Sequence, residues 1–302
     1  MDKLPWVEKY RPKVMDQLIG HKDIINLITR LINMNQLPHL LFYGKAGTGK
    51  TSTILACARQ MYGEYFNFMV LEMNASDNRG IEIVRSEIKS FVSSTSVLDK
   101  PKLIILDEAD QMTDTAQYAL RKMMESYTDN ARFCLICNYV QNVIPALQSR
   151  CTKIRFKPLE QSLIIDRLQN ILENEKIEYD ENGIKSVLNL GNGDMRKIIN
   201  ILQSIAYSEP KITEDSVCSY TKTLSATQYD NLYLSLKTES FHKNLELLKS
   251  FGFKDLNHII YNISEKLIND KEFRILKRIT ELEYIHVESN IKMIAIVSCF
   301  YL

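Results

Sequence analysis

The chain has 302 residues, of which 45% are hydrophobic and 25% are charged, and its formal net charge at pH 7 is +1. This balance is typical of a soluble globular protein with a sizeable core, and no apolar run reaches the ~18 residues that a membrane span needs. We therefore expect no membrane partner. The six cysteines are scattered without a disulfide framework, which is typical of a protein from a reducing compartment.

The first half of the chain alternates strand patterns with helix patterns. Five short apolar runs predict strands: residues 37–43, 68–74, 102–110, 132–138 and 153–159. Residues 53–61, which follow the first run, are instead typical of a helix. Strands that alternate with helices predict a parallel sheet joined by right-handed crossovers.

Strand patterns fade after about Pro158, and the remaining residues indicate helices. The sequence therefore predicts an α/β domain over residues 1–158, a small helical domain over residues 159–222 and further helices over residues 223–302. The α/β part is mildly basic and the helical part is mildly acidic. A basic α/β domain is compatible with a polyanionic partner but does not demonstrate one.

Cys134 and Cys137 form a C-x-x-C pattern inside the apolar run "RFCLIC". Their odd spacing would place the two sulfur atoms on opposite faces of a strand. We therefore predict that these thiols pack in the core and do not form a metal or redox site.

The stretch "GKAGTGKT", from Gly44 to Thr51, follows the first predicted strand and opens a helix. It matches the phosphate-binding pattern G-x-x-x-x-G-K-[ST] in the strand–loop–helix context that this pattern requires. Glycines let a concave turn of backbone N–H groups approach a phosphate closely. Lys50 would reach the β- and γ-phosphates, and the Thr51 hydroxyl would hold Mg²⁺. The stretch therefore predicts a site for ATP and Mg²⁺.

The apolar strand "LIILDEAD" ends in two adjacent carboxylates, Asp107 and Glu108. Carboxyl ends of parallel strands meet at the edge of the sheet where the phosphates would lie. Asp107 suits the Mg²⁺ site, and Glu108 suits a base that polarises the attacking water.

Several other polar residues are ambiguous when taken alone. Asn138 ends the fourth predicted strand, where it could bond the attacking water or simply terminate the strand. Arg150 lies in a Gln-Ser-Arg turn. Taken alone, Arg150 and Arg196 would each be interpreted as a charged surface residue. Arg85 and Lys89, four residues apart on a predicted helix, could follow a phosphate backbone, although a solvated helix face is the commoner explanation.

The motifs together resemble the small subunits of replication factor C, the eukaryotic sliding-clamp loader of the AAA+ ATPases. The resemblance covers residues 4–197, is closest to the paralogues called subunit 3 or 5, and weakens after about residue 222. Its motifs are "WVEKYRP", "LLFYGKAGTGKT", "EMNASDNRGI", "LIILDEAD", "ICNY", "PALQSRCTKIRF" and "NGDMRK". It implies an α/β fold in which an AAA+ P-loop domain (1–158) precedes a helical lid (159–222) and an all-helical collar for oligomerisation (223–302).

The resemblance also implies roles for individual residues. Asn138 would be the first sensor, Arg196 the second sensor, and Arg150 an arginine finger directed at the ATP site of the neighbouring subunit. Contacts to the nucleotide are implied for Val7, Arg11, Ile19, Gly44, Lys45, Ala46, Gly47, Thr48, Gly49, Lys50, Thr51, Ser52, Asn138 and Arg196. The family often has two prolines where this chain has Lys45 and Ala46, positions that contribute backbone only. Arg85 and Lys89 would contact DNA.

The function implied by the resemblance is that of an ATPase subunit in a nuclear heteropentamer. ATP binding and hydrolysis would open the ring-shaped clamp PCNA and load it onto primer–template DNA in replication and repair. The partners would be the other four subunits, PCNA and DNA bound without sequence preference. A structural subunit that binds nucleotide with little turnover, or a subunit shared with a checkpoint-type loader, remains an alternative.

Overall fold

The computed structural model describes residues 4–75, 81–94, 96, 98–191, 193–221, 224, 226–250, 256–283 and 289–301. The chain divides into two compact units. The first comprises Met1–Glu178 with Val187–Ser204, and the second comprises Tyr179–Ser186 with Ile205–Leu302. The three domains expected from the sequence stay predictions.

A parallel sheet of five strands forms the centre of the first unit. The strands are β1 (Leu40–Tyr43), β2 (Val70–Asn74), β3 (Lys102–Asp107), β4 (Ala131–Cys137) and β5 (Thr152–Arg155). Their spatial order is β2-β3-β4-β1-β5, so β1 lies between β4 and β5. The predicted parallel sheet and the five predicted strands are confirmed, and the carboxyl ends of all five strands lie at one edge.

Four strands, β1, β2, β3 and β5, are shorter than the apolar runs that predicted them. β2 begins at Val70 because the preceding residues, Phe66–Met69, form a short helix. β1 begins at Leu40 because Pro38 has no N–H to donate to a neighbouring strand. β3 ends at Asp107 because Glu108 adopts a left-handed backbone conformation, with φ 56°. β5 ends at Arg155, although the N–H of Phe156 still donates to the carbonyl oxygen of Tyr43 at 2.8 Å.

The helices up to residue 175 precede, connect and follow the strands. They are α1 (Trp6–Lys9), α2 (Lys22–Asn33), α3 (Lys50–Tyr62), α4 (Phe66–Met69), α5 (Ile81–Ser93), α6 (Asp114–Ser126), α7 (Pro145–Gln148) and α8 (Gln161–Glu175). Short 3₁₀ turns cover Met15–Gln17, Gly63–Tyr65, Ala109–Gln111 and Val140–Asn142. Helix α3 begins three residues earlier than the predicted segment 53–61, so its first turn is continuous with the glycine-rich loop.

Each face of the sheet is covered by its own hydrophobic cluster. Leu40, Phe42 and Cys134 belong to one cluster, whereas Leu41 and Cys137 belong to the other. The alternation follows from the period of two along a strand. Both thiols are buried, and among the described residues no group of three or more acidic, histidine or cysteine side chains is placed to hold a metal ion. The prediction that the C-x-x-C pattern serves core packing is confirmed.

The rest of the chain is mostly helical, as predicted. The elements are β6 (Glu178–Tyr179), α9 (Glu181–Gly191), α10 (Met195–Ser208), β7 (Lys211–Ile212), α11 (Glu214–Thr221), α12 (Ala226–Thr238), α13 (Phe241–Ser250), α14 (Leu256–Asn269), α15 (Phe273–Glu283) and α16 (Ser289–Tyr301). The sequence did not predict β6 and β7, because two residues cannot display an alternating pattern. In the part of the chain that the structure describes, no helix combines the length and the apolar character needed to cross a bilayer.

The second unit has a separate core built from its own helices. Leu232, Ile263 and Val297 are among its buried residues, and each has at most 1% of its surface exposed. The fully buried Asn244 is satisfied within this core. Its amide N–H donates to the carbonyl oxygen of Ser235 at 2.9 Å, and its amide oxygen accepts from the Ser235 hydroxyl at 2.6 Å. These bonds offset the cost of burying an amide.

Candidate functional site

The glycine-rich loop joins the carboxyl end of β1 to the amino end of α3. Gly44 and Gly47 have φ values of 147° and 70°, which L side chains rarely adopt. A Cβ atom at Gly47 would lie 1.9 Å from Asp194 Oδ1, and one at Gly44 would lie 2.2 Å from the carbonyl oxygen of Phe156. Glycine is therefore required at both positions for the loop to keep this path.

Lys50 is the first residue of α3 and is nearly buried, with 7% of its surface exposed. Its ammonium donates to the carbonyl oxygens of Gly44 at 2.7 Å and Lys45 at 2.9 Å, and to Asn138 Oδ1 at 2.9 Å. Burial lowers the pKa of this ammonium below its usual value. Three acceptors thus hold a desolvated positive charge at the mouth of the loop.

Thr51 and Asp107 present oxygen atoms next to this ammonium. The Thr51 hydroxyl donates to Asp107 Oδ2 at 2.7 Å, and Asp107 Oδ1 accepts from the N–H of Glu108 at 2.9 Å. A hydroxyl and a carboxylate at one point are the hard oxygen donors that Mg²⁺ prefers. The residues present therefore fit a magnesium ion at this position.

Glu108 is exposed and follows β3 directly. Its left-handed backbone conformation costs roughly 1 kcal/mol for a residue with a side chain. It also caps the 3₁₀ turn Ala109–Gln111. Such strain occurs frequently at functional sites. A cleft opens at this edge of the sheet, and Glu108 lines it together with Lys50, Thr51 and Asp107.

Asp110 is a buried carboxylate that the sequence reasoning did not assign. Its Oδ2 atom accepts from the N–H groups of Asn138 at 3.1 Å and Tyr139 at 2.9 Å. These bonds tie the 3₁₀ turn after β3 to the end of β4. Asp110 thereby positions the backbone from which the Asn138 amide reaches Lys50. The one feature of the sequence that could have identified Asp110 is its position at the end of the motif "LIILDEAD".

The other wall of the cleft comes from segments far from the loop in sequence. Val7, Arg11, Ile19 and Arg196, which the sequence analysis assigned to the nucleotide, all line it. The loop residues Ala46, Gly47, Thr48, Gly49, Lys50, Thr51 and Ser52 line it as well, together with Asn138. Gly44 and Lys45 do not line the cleft, but their carbonyl oxygens hold Lys50. The structure thus brings the assigned nucleotide residues to one place, and their individual roles remain predictions.

Several cleft residues were not found from the sequence. They are Glu8, Tyr10, Pro12, Leu18, Gly20, His21, Ile25, Thr53, Leu159, Arg167, Met195 and Ile199. The apolar members among them would suit one face of a flat base. Apart from their place in or beside the motifs, none carries a signal in sequence. Arg167, Met195 and Ile199 reach the cleft from α8 and α10, which are far from the loop along the chain.

Three assigned basic residues do not line this cleft. Arg150 lies on the turn after α7 and forms an ion pair with Glu125 of α6, which also accepts from Arg121 at 3.1 Å. Arg85 and Lys89 are exposed on α5. Residues 76–80 of the motif "EMNASDNRGI" lie outside the described residues.

Comparison with known proteins agrees with this arrangement. The family model of the ATPase family associated with various cellular activities (AAA) matches residues 40–159, a range that includes the loop, Asp107, Asn138 and Arg150. In fold, the chain is similar to Thermotoga maritima RuvB, a Holliday junction branch migration motor. The TM-score is 0.57 at 14% identity, over 80% of this chain and 85% of that chain. This likeness shows the AAA+ fold and nothing more.

Relatives of higher identity extend over most of the chain or nearly all of it. Human replication factor C subunit 5 is 44% identical over 98% of this chain and 91% of its own length. The probable subunit 5 of Dictyostelium discoideum is 45% identical over 100% and 91%, respectively. Replication factor C subunit 3 of Saccharomyces cerevisiae is 50% identical over 72% of this chain and 64% of its own length. The chain therefore belongs to the replication factor C subunits of the AAA family of ATPases, among relatives named subunit 5 and subunit 3.

Proposed function

We propose that this chain is an ATP-hydrolysing subunit of a replication factor C clamp loader. ATP binding and hydrolysis would drive the opening of the clamp PCNA and its loading onto primer–template DNA in replication and repair in the nucleus. The observation that carries the proposal is the meeting of Lys50, Thr51, Asp107 and Asn138 at the carboxyl edge of one parallel sheet, in a chain of this family.

The chemistry proposed for the site is the attack of water on the γ-phosphate of ATP. The Lys50 ammonium and the Asn138 amide, 2.9 Å apart, would contact the same phosphate oxygens. Glu108 would orient the attacking water and accept its proton on a carboxylate oxygen. Thr51 and Asp107 would hold Mg²⁺, which neutralises phosphate charge when bound. Backbone N–H groups of residues 44–52 would cradle the phosphates.

The wall of the cleft that faces the loop would hold the adenine base and would bring Arg196 to the phosphates. Val7, Arg11 and Ile19 would flank the adenine, and Arg196 would approach the phosphates from α10. All four residues line the cleft, which supports these roles. The lid would comprise residues 159–222. Residues 223–302 would form the collar that joins this chain to the other four subunits.

Arg150 is proposed to act in the ATP site of the neighbouring subunit. It is exposed, it does not line the cleft of its own chain, and it lies on the turn between α7 and β5. A guanidinium there could stabilise the charge that spreads over the transferring phosphoryl group of the neighbour. A lone chain would then hydrolyse ATP poorly, because no neighbour supplies an arginine to it.

A nucleotide-binding structural subunit with little turnover is the second candidate, and a subunit of a checkpoint-type loader is a variant of it. The exposed Glu108 beside Asp107 favours turnover over this candidate, because a purely structural nucleotide site has no need for a base at that position.

The first prediction concerns Lys50→Ala. Loss of the buried ammonium should lower the ATP affinity of this chain by about 100-fold, since a charge-assisted hydrogen bond contributes up to about 3 kcal/mol. Lys45→Ala is the matched control and should bind ATP normally, because Lys45 serves Lys50 through its backbone. Titration of the full chain with a fluorescent ATP analogue measures both. Equal affinities for the two variants would refute the proposed site.

The second prediction concerns Arg150→Ala in the assembled complex. ATP binding at this chain's own loop should be unchanged, while single-turnover hydrolysis at the neighbour's site should slow by more than about tenfold. Arginine fingers contribute on the order of 10³–10⁵ in GTPases, and a loader gated by DNA and clamp depends on them less. Arg155→Ala, which removes another exposed arginine nearby, is the control. Slowing confined to this chain's own site would mean that Arg150 acts in cis.

The third prediction concerns DNA, which Arg85 and Lys89 of α5 are proposed to contact without sequence preference. Arg85→Glu should weaken binding equally on different sequences and reduce the slope of log affinity against log salt by about 0.9 or more. Lys185→Glu, an equal charge reversal on α9, should leave the slope unchanged. The measurement is binding of the loader to primer–template DNA at several salt concentrations. An Arg85→Glu slope equal to that of the control would show that this face is only solvated.

A further inference from the structure

The segment at the start of the described chain is bound to helices α8 and α10. The backbone N–H of Trp6 donates to Gln203 Oε1 of α10 at 3.0 Å. A guanidinium N–H of Arg167, on α8, donates to the carbonyl oxygen of Tyr10 at 2.8 Å. Residues 5–11, which we call the N-terminal turn, therefore follow the position of these two helices.

Glu175, the last residue of α8, is the acceptor at the centre of this attachment. Its Oε1 atom accepts from the Tyr10 hydroxyl at 2.5 Å and pairs with the Lys9 ammonium at 2.8 Å. The side chains of Lys9 and Glu175 are only 30% and 19% exposed. This shielding makes the pair stronger than a fully solvated one.

Lys9, Tyr10 and Glu175 form a cluster in which the carboxylate accepts from both partners. Burial favours the neutral form of Glu175, but the hydrogen bonds from Lys9 and Tyr10 outweigh it and hold the pKa of the carboxyl below its usual value. Burial, together with the bond to Glu175, raises the pKa of the Tyr10 phenol. At neutral pH the carboxylate is therefore ionised and the phenol remains a donor.

The N-terminal turn connects this cluster to the nucleotide cleft. Val7, Tyr10 and Arg11 line the cleft, whereas Glu175 does not. The turn is short and internally bonded, since the N–H groups of Lys9 and Tyr10 donate to the carbonyl oxygens of Pro5 and Trp6 at 2.9 Å. A displacement of Tyr10 would therefore carry Val7 and Arg11 with it.

We propose that Glu175 is a positioning residue for nucleotide binding, because it fixes Lys9 and Tyr10 and thereby the wall formed by Val7 and Arg11. The inference rests on the proposed function, in which this wall receives the adenine. The phosphate side of the site is built from the loop 44–51, Asp107 and Asn138, none of which touches Glu175. Loss of Glu175 should therefore weaken recognition of the base and leave recognition of the phosphates intact.

Two probes separate these effects in the full chain: ATP, and inorganic tripolyphosphate, which has no base. The chain's single tryptophan, the buried Trp6, lies in the N-terminal turn and provides a fluorescence signal for its environment. Glu175→Gln removes the charge, and Tyr10→Phe removes one hydroxyl. Glu173→Gln is the matched control, because Glu173 is an exposed carboxylate two residues earlier on the same helix.

Glu175→Gln should weaken ATP binding about tenfold, as expected for a partly buried charge-assisted bond. Its affinity for tripolyphosphate should stay within about twofold of the parent chain. Tyr10→Phe should change in the same direction, and Glu173→Gln should match the parent for both probes. The Trp6 emission of the Glu175→Gln and Tyr10→Phe variants should shift to longer wavelength, because the N-terminal turn loses its attachment.

Unchanged ATP affinity in both variants would overturn the proposal. An equal loss for ATP and tripolyphosphate would also overturn it, because that result indicates general destabilisation of the first unit. If Glu175→Gln does not fold, Tyr10→Phe decides the question alone. Lys50→Ala, measured in parallel, should weaken both probes. If it weakens neither, the proposed ATP site is wrong and the Glu175 inference is overturned with it.

Discussion

The buried ammonium of Lys50 is the interaction on which the first unit depends. A lysine with 7% exposure is costly unless its three N–H groups find acceptors. The loop supplies two of them, the carbonyl oxygens of Gly44 and Lys45, and β4 supplies the third through Asn138. This requirement sets the path of the glycine-rich loop and ties it to the strand ends. A triphosphate would bring the negative charge for which this desolvated cation is already placed.

The parallel sheet makes this convergence possible. Because β1 and β4 are neighbours in the sheet and run in the same direction, their carboxyl ends deliver the loop and Asn138 to one edge, and β3 delivers Asp107 there. Asp110, on the turn after β3, then binds the backbone of Asn138, 28 residues further along the chain, and so joins the ends of β3 and β4. On the opposite wall of the cleft, the attachment of the N-terminal turn to α8 would hold Val7 and Arg11 in place, although neither residue belongs to the sheet.

Residues on the loop and at strand ends could be predicted from the sequence because their placement is local. To place the loop Gly44–Thr51, it is enough to recognise a strand before it and a helix after it. To place Asp107, it is enough to recognise the buried strand that ends at this residue. Tyr10 and Glu175 could not be paired from the sequence, since they are 165 residues apart and meet only when α8 packs beside the N-terminal turn. The bounds of β1 and β5 were missed because the apolar runs extend before the first residue of β1 and beyond the last residue of β5.

The central claim is that this site turns ATP over and does not merely hold it, and Glu108 tests this claim most directly. In the assembled complex with every other nucleotide site disabled, Glu108→Gln keeps the shape of the side chain and removes its basicity. The account predicts ATP affinity within about twofold of the parent and a fall in single-turnover hydrolysis of about 10²-fold or more, as expected for loss of a general base. An unchanged hydrolysis rate, or no measurable hydrolysis by the parent site with DNA and clamp present, would contradict the account.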